Sequence, residues 1–307
     1  MRSYKKSVLA LVALLLIASL AGCGQTKTRN SNVSMDNAKS AYFVNVSWLN
    51  DNLDSMILVD ARTADEYKKG HLPGAVNAPW QEFANVIGKP GQPDWGTLLP
   101  KDKLAEKIGS FGIDGKKSVI VYADPKGWGE DGRIVWMLRM VGVANSKMLD
   151  GGWKAWNDAN YEASTDTPTI TPVNFSINTI DESLNASTEW VAENINKIKV
   201  VDSRSEKEYG GATDYGEARG GHLPGAINIP FKNIFNSDGT VKSTDELKAL
   251  FEKDGLKPGD EIVTYCTKGI RSAHMSLLLR MAGFEKTRNY DASFYSWAGN
   301  PSLKVDK

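Results

Sequence analysis

The chain has 307 residues and a mass of 33.6 kDa, a length that holds about two domains of roughly 150 residues each. An apolar fraction of 41% and a charged fraction of 24% are those of a globular protein in which each half buries a core. Lys+Arg and Asp+Glu are both 37, so there is no basic field to hold nucleic acid and no charge excess to favour a membrane surface.

At the N-terminus Arg2, Lys5 and Lys6 precede the apolar run "SVLALVALLLIASLAG". That run is short for a membrane-spanning helix, which needs about 20 residues, and suits a secretory signal. It ends in "LAGC", Leu20 to Cys23. Small residues before a cysteine at this position resemble the lipobox of bacterial lipoproteins. The resemblance implies removal of residues 1–22 and lipidation of Cys23. The protein is then exported and lipid-anchored to a bacterial membrane, at the cell membrane or a periplasmic face. Residues 23–40 are polar and aperiodic and read as a tether.

The first folded segment, 41–159, opens with "VSWLNDNL" and then "ILVD", a short apolar run ending in Asp as buried parallel strands do. "TADEYKKG" is a helical turn closed by Gly, and "VIVYA" a second strand. Residues 160–181, rich in Thr and Pro, read as a linker. The second segment, 182–307, runs through "KVVD", the turn "SEKEYGG", and "STDELKALFEKDG". That last helix opens with a capping box, Ser243 to Glu246. "EIVTY" is a strand, and "RSAHMSLLLRMAG" a helix with Met275, Leu278, Leu279 and Ala282 on one face and Gly283 as its C-cap.

The two segments repeat each other. "LVDARTADEY" answers "VVDSRSEKEY" at an offset of 142, with Asp60 over Asp202 and Arg62 over Arg204. "GHLPGAVNAPW" answers "GHLPGAINIPF" at an offset of 151, so the second copy carries nine extra residues within Gly210 to Gly220. "LDGGWKAW" answers "YDASFYSW". A unit this long is a duplicated domain rather than a solenoid repeat. Strands alternating with helices make each copy α/β, a parallel sheet with helices on both faces. Trp48, Trp190, Trp156 and Trp297 recur across the copies and read as core.

With Cys23 acylated, Cys266 has no disulfide partner in its own chain. A lone exported cysteine is either a buried small hydrophobe or a reactive thiol. "YCTKGIR", Tyr265 to Arg271, lies between a strand and a helix, where backbone N–H groups converge on one spot and bind anions. The helix dipole, Lys268 and Arg271 all lower the pKa of the thiol of Cys266, and Gly269 supplies a left-handed or close-approach conformation. Cysteine phosphatases place five residues between Cys and Arg, with His before the Cys. Here Tyr265 precedes it, and only four residues, Thr267 to Ile270, intervene. The shorter loop fits one added sulfur better than a phosphoryl group.

Taken together, the duplicated "VDxR", the duplicated "GHLPGAxNxP", the "CTKGIR" loop and "YDASFYSW" resemble the two-domain rhodaneses, thiosulfate sulfurtransferases, over about residues 42–300. The resemblance implies two tandem rhodanese-like domains with an active site in the cleft between them. It implies that Cys266 takes sulfane sulfur from a small-molecule donor, forms a persulfide and passes it to cyanide or a thiol, a partner protein's cysteine included. No cofactor or metal is needed. Thr267, Lys268, Gly269, Ile270 and Arg271 are the expected substrate-binding loop.

Lys268 stands where thiosulfate-type members keep a lysine and suits a dianionic donor. Glu208 stands where some members place a substrate-binding arginine, and repels an anionic donor if it faces the cleft. Arg219 in the insertion is the candidate to replace the missing charge, and Arg204 either pairs with a carboxylate as scaffold or helps to hold the donor. Ala123 replaces the cysteine in the first copy, whose loop is also longer, so that domain is inactive and forms a wall of the cleft. Trp128 in that loop reads as packing. His71 and His222 are duplicated and read as structural hydrogen-bonding groups, while His274 is a candidate to tune Cys266. No spacing of His, Cys, Asp and Glu makes a metal site. The rival of a different class is a non-catalytic or sulfur-carrier lipoprotein that presents sulfane sulfur or docks partners.

Overall fold

The computed structural model describes residues 35–307; the expected signal segment and lipidation site Cys23 lie outside the described residues. In the first copy five strands form one parallel sheet: β1 Phe43–Val44, β2 Ile57–Asp60, β3 Val76–Asn77, β4 Val119–Tyr122 and β5 Ser146–Leu149. Helices α1 Asn37–Ser40, α2 Val46–Asn50, α3 Ala64–Lys69, α4 Lys101–Ser110, α5 Glu130–Met140 and α6 Gly152–Asp158 connect and cover it. The second copy repeats this with β6 Asn185–Ala186, β7 Lys199–Asp202, β8 Ile227–Asn228, β9 Ile262–Tyr265 and β10 Thr287–Tyr290. Its helices are α7 Thr188–Asn194, α8 Glu206–Tyr209, α9 Thr244–Lys253, α10 Ile270–Met281 and α11 Ser293–Gly299. The strand orders are β1-β5-β4-β2-β3 and β6-β10-β9-β7-β8, the same order twice.

Central strands "VIVY" and "IVTY" are buried along their length, as strands covered on both faces must be. The register sets Asp202 opposite Tyr265 and Asp60 opposite Tyr122. That pairing explains the repeated sequence words. Tyr265 Oη donates to Asp202 Oδ2 at 2.5 Å and accepts the Leu223 N–H, while Arg204 bonds both Asp202 oxygens and the Gly221 carbonyl. In the first copy Arg62 holds Asp60 and the Gly70 carbonyl, and Tyr122 Oη accepts the Leu72 N–H. Each buried charge thus meets its opposite, the condition for tolerating it in a core, and of the Arg204 nitrogens only Nη1 is buried without a hydrogen-bond partner. His71 and His222 stack on Tyr67 and Tyr209 at 3.7 Å and bond the same tyrosines' carbonyls through Nδ1.

The two copies pack chiefly through α5 and α10. Every residue of α10 except Arg280 is buried. The sequence pattern pointed to one apolar face; a second helix covers the other. Gly132 permits the close approach, because a Cβ there would lie 2.3 Å from His274 Cγ.

Three expectations need correction. The end of the expected tether is helical: α1 is capped by Asp36, and Lys39 pairs with Asp150 at 2.7 Å and reaches the Val241 carbonyl. Trp48 is 42% exposed, so it is not core, whereas Trp156 and Trp297 are fully buried. Trp190 is partly buried and carries Arg288 over its ring. No helix among the described residues is long and apolar enough to cross a membrane.

Candidate active site

Cys266 follows the last residue of β9, at the carboxyl edge of the parallel sheet where open α/β folds place ligands. Gly269 is the N-cap of α10 at φ 81°, and a Cβ there would lie 2.4 Å from the Asp291 carbonyl oxygen. Both the turn and the space therefore require glycine. The chain reverses so tightly that the backbone N–H groups of Lys268 and Ser272 act on the thiol. Ser272 Oγ lies 3.6 Å from Sγ and 2.7 Å from Asn289 Oδ1. The Cys266 N–H donates to Ser293 Oγ, and Ser293 sits in the left-handed region at φ 51°. This explains the serine in "YDASFYSW": its hydroxyl ties the start of α11 to the cysteine.

Burial of Cys266 pushes its thiol pKa up. The Arg271 charge, the Ser272 N–H and hydroxyl and the Lys268 N–H together outweigh burial, and the net shift is downward. The thiol opens into a cavity of about 230 Å³ lined by Pro90, Trp128, Tyr215, Tyr295 and the loop residues Thr267, Lys268, Ile270 and Arg271. Pro90 and Trp128 come from the first copy and the rest from the second, so the cavity lies in the cleft between them.

Neither loop cation is free. Arg271 forms a two-pronged ion pair with Glu208, Nη1 to Oε2 at 2.9 Å and Nη2 to Oε1 at 2.6 Å, and Nη2 also reaches Thr267 Oγ1. Its guanidinium carbon lies 4.6 Å from the Trp128 ring centre. Lys268 Nζ lies 5.0 Å from the Trp80 ring centre and 4.7 Å from that of Trp95, both first-copy residues. Burial and the nearby Arg271 lower the Lys268 pKa, against the pull of the thiolate. Arg133 of α5 holds the loop from the other side, bonding the Gly269 and Gly96 carbonyls and pairing with Asp291.

Glu208 is buried and does not face the cavity as a free carboxylate. It caps α8 through Ser205 N and Oγ, and also accepts from Thr267 Oγ1 and Arg271. Burial opposes ionisation, but the Arg271 and Ser205 contacts prevail and hold its pKa at about 2. The "S-x-x-E" spacing of Ser205 and Glu208 signalled the cap; nothing local signalled Arg271.

Two expected site residues lie elsewhere. Arg204 is fully buried on Asp202 beneath the sheet edge, its guanidinium carbon 4.0 Å from the Phe294 ring centre, and lines no part of the cavity. Arg219 donates to the carbonyls of Trp297, Ala298, Asn300 and Leu303, closing the C-terminal end of α11. Trp128, read as packing, lines the cavity. His274 packs among Phe43, Phe231 and Phe235 at the interface with α5, with Asp131 Oδ1 3.3 Å from Nδ1, and does not line the cavity. Reading charge along the chain missed Ser272, Ser293, Trp80, Trp95 and Arg133. Among the described residues no group of His, Cys, Asp and Glu has the arrangement of a metal site.

Comparison with known proteins matches the rhodanese-like domain family twice, over residues 45–159 and 187–300. The sulfur carrier protein TtuD of Thermus thermophilus is 30% identical over 89% of this chain and 99% of its own. The thiosulfate sulfurtransferase of Bos taurus is 30% identical over 76% of this chain and 78% of its own. That of Corynebacterium glutamicum is 28% identical over 86% and 89%. Among solved structures, the anaerobic ergothioneine biosynthesis enzyme from Chlorobium limicola superposes with a TM-score of 0.79, covering 88% of this chain and 71% of its own. At 21% identity that likeness concerns the fold.

Proposed function

The chain belongs to the rhodanese-like family, and from that premise we propose that it is a sulfurtransferase working through a persulfide on Cys266. The carrying observation is a thiol of lowered pKa at the mouth of a backbone N–H nest, opening on a cavity. In the first step the Cys266 thiolate attacks the outer sulfur of a thiosulfate-like donor. The donor's S–S bond breaks, its electron pair leaves on sulfite, and a Cys266–S–S⁻ persulfide remains. In the second step cyanide or a thiolate attacks the terminal sulfur, and the pair returns to Cys266. This is two-step covalent catalysis with ping-pong kinetics. Thr267, Lys268, Gly269 and Ile270 shape the loop that holds the transferred sulfur, and Arg271 favours the thiolate by its charge. The thiosulfate sulfurtransferases among its relatives support the reaction class.

The lipobox-like "LAGC" supports placing this activity at a membrane surface, anchored through Cys23. A carrier role, as the name of the Thermus relative suggests, shares the loading step but turns over slowly with small acceptors. The test is steady-state transfer from thiosulfate to cyanide. The wild type produces thiocyanate with parallel double-reciprocal lines, and Cys266→Ser produces none. Retained turnover in Cys266→Ser would sink the mechanism, and loading without turnover would favour the carrier.

A further inference from the structure

Arg133 is a buried cation, 2% exposed, that the transfer chemistry leaves unused. It is the fourth residue after Gly129, the N-cap of α5; the fourth after Gly269, the N-cap of α10, is Ala273. The arginine is therefore outside the repeated pattern. It stands in the copy without a cysteine and reaches into the copy that has one. Nη1 donates to the Gly269 carbonyl at 3.3 Å, Nη2 to the Gly96 carbonyl at 3.1 Å, and Asp291 pairs with its charge. All three partners border the thiol loop. Gly269 is the left-handed turn of the loop itself. Gly96 follows Trp95, one of the two rings on Lys268, and a Cβ on it would lie 3.6 Å from Lys268 Cβ. Asp291 lies two residues before Ser293, whose hydroxyl accepts the Cys266 N–H. Glycine gives the loop its shape but has no side chain to hold it there. The hold comes from outside, through a Gly269 carbonyl that accepts from Arg133, from Asn289 Nδ2 at 3.4 Å and from the Ala273 N–H. Stability alone is a poor reason for the arginine, since a buried ion pair is often no better than apolar residues of the same volume.

Resting on the sulfurtransferase reading, we propose that Arg133 is a positioning residue for Cys266, through which the first copy sets the reactivity of a thiol it does not carry. The Lys268 and Ser272 N–H groups that favour the thiolate lie on either side of Gly269. A hydrogen bond weakens steeply as it bends, so a small rotation at Gly269 swings these donors off Sγ. The Gly269 carbonyl points along α10 to the Ala273 N–H, so the Ile270 N–H of the same trans peptide points out of the N-terminal end, where the loop turns. Pinning the carbonyl thus fixes the direction of the nest. Arg133 acts by geometry rather than by its field, because Asp291 balances its charge. Its planar fork spans two carbonyls and a carboxylate at once, which an ammonium on a flexible stem does not.

The experiment uses Arg133→Lys, which keeps the charge opposite Asp291 and loses the fork. Alkylation of Cys266 against pH reads the thiolate, and thiocyanate formation reads the transfer. The acid limb is expected to move up by about one pH unit. On the acid side of that limb kcat/KM for thiosulfate is expected to fall about ten-fold, in step with the thiolate. Lys39→Met is the control for a loosened interface, since Lys39 ties the copies together through Asp150 and the Val241 carbonyl and bonds no residue of the loop. It is expected to lower Tm and leave the alkylation profile in place. Should Arg133→Lys fail to fold, Arg133→Gln, which keeps one donor, carries the same measurement. A folded Arg133 variant whose profile superimposes on that of the wild type overturns the proposal. So does a Lys39→Met profile displaced as far as that of Arg133→Lys, which would reduce the arginine to general support. A wild type that alkylates as described but forms no thiocyanate would instead overturn the sulfurtransferase reading and leave the alkylation test standing.

Discussion

Burial alone would keep the Cys266 thiol protonated; it ionises more readily than an ordinary thiol because donors and a cation are fixed around it. The sign has a testable consequence. Reactivity is full above the thiolate pKa and falls as pH drops through it. Ser272→Ala removes the hydroxyl 3.6 Å from Sγ, leaving Asn289 to lose one partner. A hydrogen bond to a charged group is worth about 1.5–3 kcal/mol, so the acid limb should move up by roughly one to two pH units. Alkylation of the Cys266 peptide against pH, read by mass spectrometry, checks this, and superimposable profiles would count against the nest as the cause. Cys266, Lys268 and Gly269 were legible in the sequence because a strand, a four-residue loop and a helix fix their geometry locally. Glu208 was legible only as an anomaly. Its partner Arg271 is 63 residues away, and chain order records charge but not direction. Arg219 was misplaced, and Arg204 was left open between scaffold and substrate, for the same reason: each is cationic, and each is turned into scaffold.

The elements that place the site are ordinary ones in an unusual contact. Strand β9 and helix α10 form the strand–turn–helix unit that the apolar run, Gly269 and the periodic segment predicted. The burial of α10 on all sides was not predictable, because it depends on α5 of the other copy. Gly132 is the position that tests this contact, since any side chain there meets His274. Gly132→Val should cost about 1–3 kcal/mol, the range for overpacking a filled interface, and lower Tm accordingly. It should also loosen the Arg133 clamp one residue along, so activity falls with stability. An unchanged Tm would contradict the close contact of α5 with α10.

Across the whole molecule the duplication has divided the labour. Both copies keep the Asp–Arg–Tyr lattice and the stacked histidines, which explains why the sequence words "VDxR" and "GHLPG" survive in each. Only the second keeps a cysteine; the first has become the other wall, supplying Pro90 and Trp128 to the cavity, Trp80 and Trp95 to Lys268, and Arg133 to Gly269. The repeat itself, and so the fold, could be read from aligned words. That the first copy forms a wall was read from its missing cysteine; the residues that build the wall could not be, because they carry no motif and act across the cleft. The central claim is that sulfur rides on Cys266, and the mass of that peptide measures it directly. After brief exposure to a sulfane donor and removal of excess, the wild-type peptide should be heavier by one sulfur atom, and cyanide should return it to its starting mass. An unchanged mass, or added sulfur that survives both cyanide and the Cys266→Ser substitution, would contradict the account.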